Sequence, residues 1–136
     1  MRYTRMLHTT IMYFIALVWL VNGLVCKVLH LVPRHELIVA SVLGSTHSSL
    51  LTVIIGSSEI GMAAWILSSL QPRLCAIVQI VIVGAMNIIE YNKALDLLLF
   101  GKANLLFAAL FIVVIYLNAF RLNRKYTATR FSCLHP

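Results

Sequence analysis

The sequence predicts an all-α membrane protein: a bundle of four transmembrane helices with a short interfacial helix between the first and second spans. Three observations carry this expectation. First, 61% of the 136 residues are hydrophobic and only 11% are charged, with a mean hydropathy of +0.94. A soluble domain carries about a quarter charged residues, so lipid must serve as solvent for this chain. Second, four runs of about 20 mainly apolar residues recur, the length that crosses the hydrocarbon core. Third, the basic residues sit at the chain ends and in short loops. The net charge of +7 therefore gives no basic face with interleaved aromatics, and nucleic-acid binding is excluded.

The first span is expected from about Ile11 to Leu31, with Lys27 near its end able to snorkel. Arg2 and Arg5 precede it as a signal peptide would require, but no small-x-small cleavage site follows, so the segment reads as a retained helix. Pro33 to Gly44 reads as the short interfacial helix, with proline suited to the first turn and glycine past the end. The second span is expected from Ser49 to Leu70. Gln71-Pro72-Arg73 then forms a tight polar turn, because proline cannot sit inside a straight helix. The third span runs from Leu74 to Tyr91. A connection over Asn92–Lys102 follows, with Leu97–Phe100 dipping into the interface. The fourth span runs from Ala103 to Phe120. Residues 1–126 form a single domain, and 127–136 a basic, disordered tail.

Lysine and arginine counts set the orientation. The N-terminus, the 71–73 turn and the C-terminal tail together hold seven basic residues, against four on the other side. Both termini are therefore expected in the cytoplasm, with the chain in a cell inner membrane. Cys26, Cys75 and Cys133 show no CxxC spacing and read as unpaired thiols. Opposite membrane faces for Cys26 and Cys75 would forbid a bridge between them, since bridged Cα atoms lie within about 7 Å.

Each span carries a face that lipid would reject. On the second helix Ser49, Thr52, Gly56, Glu59 and Ala63 recur at steps of three and four. On the third, Gln79 and Glu90 face the same way, three helical turns apart. On the fourth, Asn104, Ala108, Phe111, Ile115 and Asn118 form one stripe, and the first contributes Asn22. Small and amide residues commonly pack membrane helices, the reading expected for Gly56, Gly61, Gly84, Gln79 and Asn118. Ser57 and Gly61 form a small-xxx-small pair. Trp19 and Trp65 read as packing residues.

Glu59 stands apart. It lies about ten residues into a span with no charged residue within a turn, where a carboxylate costs several kcal/mol unless it is paired or protonated. Arg34 is the first-choice partner, for its permanent charge and bidentate fork, with Lys27 and His30 as alternatives. By depth, Asn22, Glu59, Asn87, Glu90 and Asn104 gather in the outer half of the bundle, as a polar pocket opening outward. A ligand-binding role and a purely structural salt-bridge network both remain open for it. No metal is expected: His30 and His35 are five apart and do not face one ion on a straight helix. No Ser-His-Asp grouping or phosphate loop occurs.

Three stretches, Pro33-Arg-His-Glu-Leu-Ile-Val-Ala-Ser-Val-Leu-Gly44, Ile55-Gly-Ser-Ser-Glu-Ile-Gly-Met-Ala-Ala-Trp65 and Met86-Asn-Ile-Ile-Glu-Tyr91 with Asp96-Leu-Leu-Leu-Phe-Gly-Lys-Ala-Asn104, together resemble the DoxX-like family of small bacterial membrane proteins. The resemblance spans roughly residues 10–120 and implies a four-helix membrane bundle. It also implies association with a quinone-linked or other membrane oxidoreductase system, the oxidoreductase partner being another chain. The matching polar positions are Arg34, His35, Glu36, Glu59, Asn87, Glu90 and Asn104. Three functions follow: an accessory subunit of a membrane redox system, a quinone-binding protein in which Glu59 or Glu90 relays protons, or a small transporter or channel acting as a homo-oligomer. A membrane protein with a structural role and no ligand is the remaining alternative.

Overall fold

The computed structural model describes residues 2–29, 31–93, 96 and 102–123. Among them the chain is entirely helical, and four helices are long and apolar enough to cross a membrane. Helix α1 (Arg2–Leu20) continues without a break into a π-helical segment, Val21–Val28. Helix α2 covers Pro33–Leu43, α3 Ser48–Ser68, α4 Pro72–Lys93 and α5 Ala103–Tyr116. The last is extended by a second π-helical segment, Leu117–Leu122.

Local chemistry sets these limits. Pro33 enters α2 in its first turn, where the missing N–H costs nothing, and Gly44 ends it at φ +98° while donating to the Ala40 carbonyl at 3.0 Å. The α3–α4 reversal falls at Ser69–Gln71 rather than at 71–73. Ser69 and Gln71 take positive φ, and Pro72 already opens α4. The third span thus begins two residues earlier than hydropathy indicates, because proline is excluded from a helix interior but not from its first turn. Helix α1 likewise begins at Arg2, well before Ile11, since backbone pairing continues beyond the apolar stretch. The expected interfacial dip of Leu97–Phe100, the disordered tail, Cys133 and His30 lie outside the described residues.

Helix α1 and its π-helical extension run along α3, α4 runs along α5, and α2 rests on α3. The shared core is Ile15, Ala16, Trp19, Met62, Ala63 and Ile66 from the first pair, closed by Cys75, Ala76, Ile115 and Ala119 from the second. Outward faces carry Leu17, Leu50, Val81 and Leu106, all exposed in the isolated chain, as lipid contact requires. Hydroxyls on those faces are satisfied within their own helix. Ser57 donates to the Val53 carbonyl at 2.8 Å and Ser58 to that of Ile55 at 2.7 Å, so neither is stranded in hydrocarbon.

The inward stripes meet as their spacing dictates. Thr52, Gly56, Glu59 and Ala63 are buried on α3, while Ser49 at the stripe's end is exposed. On the fourth span Ala108, Ile115 and Asn118 are buried. Among the described residues Gly61 and Gly84 do not mediate close packing: a Cβ built at either meets none of them within 4 Å. The close approach is made instead by Gly23 and Gly56. A Cβ at Gly23 would lie 2.5 Å from the Gly56 carbonyl oxygen, and one at Gly56 would lie 2.7 Å from that of Gly23. Only glycine lets these two backbones touch.

Candidate ligand-binding site

The Gly23–Gly56 contact fixes what lies one turn further along each helix. From the π-helical extension, Lys27 sends its four-carbon stem between the helices, and its Nζ donates to Glu59 Oε1 on α3. Both side chains are about 6% exposed. Lys27 therefore does not snorkel to the interface; the carboxylate draws it inward, where Coulomb attraction is least screened. Arg34, the expected partner of Glu59, is not paired with it. Arg34 belongs to α2, beyond the break after Val28, whereas Lys27 starts beside the glycine contact and needs only its own stem to reach across.

The pair forms part of the wall of a cavity of about 290 Å³. Six of the polar residues singled out in the sequence line it: Asn22, His35, Glu59, Asn87, Glu90 and Asn104. Arg34 is not among them, and neither is Glu36, which accepts a long hydrogen bond of 3.5 Å from Ser48 and so links α2 to α3. Asn104 donates to Asn87 Oδ1 at 3.0 Å, while Asn87 Nδ2 donates to the Val83 carbonyl at 2.9 Å. This ties α5 to α4 and holds both amides in one orientation. Phe107 and Phe111 supply apolar wall beside them.

Two features give the cavity chemical character. Glu59 Oε2 is buried and takes no hydrogen bond from the described residues. It is an acceptor whose desolvation no donor offsets, which costs about 1–3 kcal/mol or more for a charged group. His35 is half-buried and feels the charges of Lys27 and Arg34. Burial first, then the charges of Lys27 and Arg34, push its imidazole down to about 4, so the ring is neutral at pH 7 and offers one donor and one acceptor.

The cavity also has a continuation. A second, apolar hollow of about 180 Å³ lies under α2, walled by Ile38, Val39, Val42, Ile55 and Ile89. It shares Lys27, His35, Met86 and Glu90 with the polar chamber. A hydrogen-bonding chamber thus adjoins an oily groove.

Lys27, which the sequence offers only as an alternative partner behind Arg34, is the residue that pairs with Glu59. Its signal lies in register: Gly23 precedes Lys27 by one turn as Gly56 precedes Glu59 by one turn. Two polar links escape sequence reasoning. Trp19 Nε1 donates to Gln79 Oε1 at 3.0 Å, and His8 Nδ1 lies 2.7 Å from Asn118 Oδ1, which fixes Nδ1 as the donor. Both join helices distant in sequence, so no local spacing announces them.

In comparisons with known proteins, the profile of the DoxX-like family matches residues 16–117. No curated protein and no solved structure gives a significant match.

Proposed function

The chain belongs to the DoxX-like family, and from that premise we propose that it serves a membrane-associated redox system as an accessory subunit that holds a quinone. The observation that supports this reading most is the junction of the polar chamber with the apolar groove through Lys27, His35, Met86 and Glu90. An amphipathic ligand with a carbonyl-bearing ring and a hydrocarbon tail needs those two environments side by side.

A bound quinone would accept electrons from an oxidoreductase on a partner chain, together with protons, and carry them within the membrane as the quinol. The work of this chain's own residues is binding and orientation. The amide N–H groups of Asn22, Asn87 and Asn104 and the ammonium of Lys27 are donors for carbonyl oxygens. Glu59 Oε2 is the acceptor for a hydroxyl proton. Ile38, Val39 and Val42 of α2 receive the tail. In this reading both termini are cytoplasmic in a cell inner membrane, α2 lies at the outer interface, and the chamber opens outward. The basic-residue asymmetry of seven to four supports that orientation.

The test is purification from native membranes in mild detergent, followed by mass spectrometry of extracted lipids. A quinone should accompany the wild-type protein and be lost from Glu59→Gln and Asn104→Leu variants that still elute as folded species. Equal retention in all three proteins, or no quinone on the wild type even after it is added back, would contradict the proposal.

A further inference from the structure

The end of the bundle opposite the Lys27–Glu59 chamber contains another cavity, of about 330 Å³, which the proposed function does not use. It reaches the Ser69–Pro72 turn and is walled by His8, Cys75, Gln79 and Asn118. The polar chamber in turn reaches His35 on α2, so the two hollows extend toward opposite ends of the spans.

The wall residues on three helices show how little separates them. On α1 the far cavity ends at Ile15 and the chamber begins at Val18, next to Trp19; on α4 the corresponding residues are Gln79 and Val83, and on the fifth helix Ile115 and Phe111. Each step is three or four residues, about one helical turn or ~5.4 Å. That single layer is closed by the Trp19–Gln79 hydrogen bond and by Ile115, which are respectively 5%, 4% and 1% exposed. Polar groups continue on both sides of the layer. His8 and Asn118 stand in the far half, and Asn22, Glu59 and Glu90 in the chamber. Glu59 is 5% exposed, and its Oε2 accepts no hydrogen bond from the described residues, as an acceptor for water or a proton would.

We propose that the two cavities are halves of one proton path across the bilayer, closed in this conformation by the Trp19–Gln79 layer. An indole N–H does not release its proton readily, so the layer is a gate and not a relay. When Trp19 turns away from Gln79, water from the two hollows meets across one helical turn. A proton taken up at the His8 end then passes along that water to the Glu59 carboxylate and leaves on the His35 side. Only O–H and N–H bonds are exchanged, and the net change is one proton moved down its gradient. This path stands independently of any quinone.

Proteoliposomes with a pH-sensitive dye inside, driven by a potassium gradient and valinomycin, test it without further components. Trp19→Ala should raise proton flux at least tenfold over wild type, and Glu59→Gln added to Trp19→Ala should return it to the protein-free level. Trp19→Phe keeps a ring but removes the donor, disturbs packing least, and should raise flux by a smaller factor. Flux in Trp19→Phe and Trp19→Ala no higher than wild type overturns the proposal. So does a Trp19→Ala flux that Glu59→Gln leaves unchanged, because the leak would then bypass the chamber.

Discussion

The two halves of the bundle bury polar groups at very different stakes. In one half, Lys27 and Glu59 set full charges against each other where both side chains are about 6% exposed. In the other, His8 with Asn118 and, at mid-bundle, Trp19 with Gln79 join single donors to amide oxygens. An amide that loses its partner in a membrane protein loses a contact averaging about 0.6 kcal/mol. A buried charge that loses its partner keeps its desolvation cost and gains nothing to offset it, which amounts to about 3–5 kcal/mol. The difference teaches that the half with the higher stakes is also the half whose chamber joins an apolar groove, so its cost is consistent with function rather than with cohesion alone.

The largest expected effect sharpens that contrast. Glu59→Ala strands the buried Lys27 ammonium without its partner and should destabilise the protein by about 3–5 kcal/mol, read from denaturant unfolding in micelles. An effect no larger than that of an amide substitution would erase the distinction between the halves.

Next comes the glycine contact that holds the charged pair in place. Gly56→Ala sets a methyl 2.7 Å from the Gly23 carbonyl oxygen and 2.8 Å from Lys27 Cβ. It should cost about 1–3 kcal/mol by overpacking. Gly61→Ala, with open space around it, is the matched control and should stay within about 0.5 kcal/mol of wild type in the same assay.

A third test uses pH. The folded-state value of His35, about 4, lies below its ordinary 6.5. The unfolded chain therefore takes up a proton before the folded chain does. The contribution of His35 is complete above pH 6.5 and is lost as pH falls from 6.5 toward 4. Because the ring is only half-buried, solvent damps the effect to about 1 kcal/mol. Melting curves of wild type and His35→Gln should converge across that window, and parallel curves would count against a cationic surrounding for His35.

The smallest effect belongs to the amide pairs. Asn118→Leu should cost about 0.6 kcal/mol, since the His8 ring loses a single hydrogen bond. A cost several times larger would mean that this half of the bundle is held as tightly as the charged one.

The sequence carries the spans, the inward stripes and six of the polar residues around the chamber, because a helix repeats every 3.6 residues and lipid tolerates few polar groups. The DoxX-like resemblance was legible in the stretches 33–44, 55–65 and 86–104 over roughly residues 10–120, and the family profile matches residues 16–117. Three things were not legible, each for a physical reason. The choice of Lys27 over Arg34 as the partner of Glu59 depends on how close two backbones come, and Gly23 and Gly56 lie far apart in sequence. The turn at Ser69–Gln71 depends on left-handed backbone angles at serine and glutamine, residue types that rarely adopt them. The windings at Val21–Val28 and Leu117–Leu122 are π-helical although their composition is that of an ordinary apolar helix.

The most direct test of the central claim, that Lys27 and Glu59 act as one unit which both holds the bundle and lines a ligand chamber, is a double-mutant cycle read for stability and for bound quinone. Lys27→Met and Glu59→Leu should each destabilise the protein, and the double variant should regain most of that loss, because two apolar side chains replace a buried ion pair at little cost. The double variant should nevertheless purify without quinone. Additive losses of stability in the double variant, or a stable double variant that still retains quinone, would contradict the account.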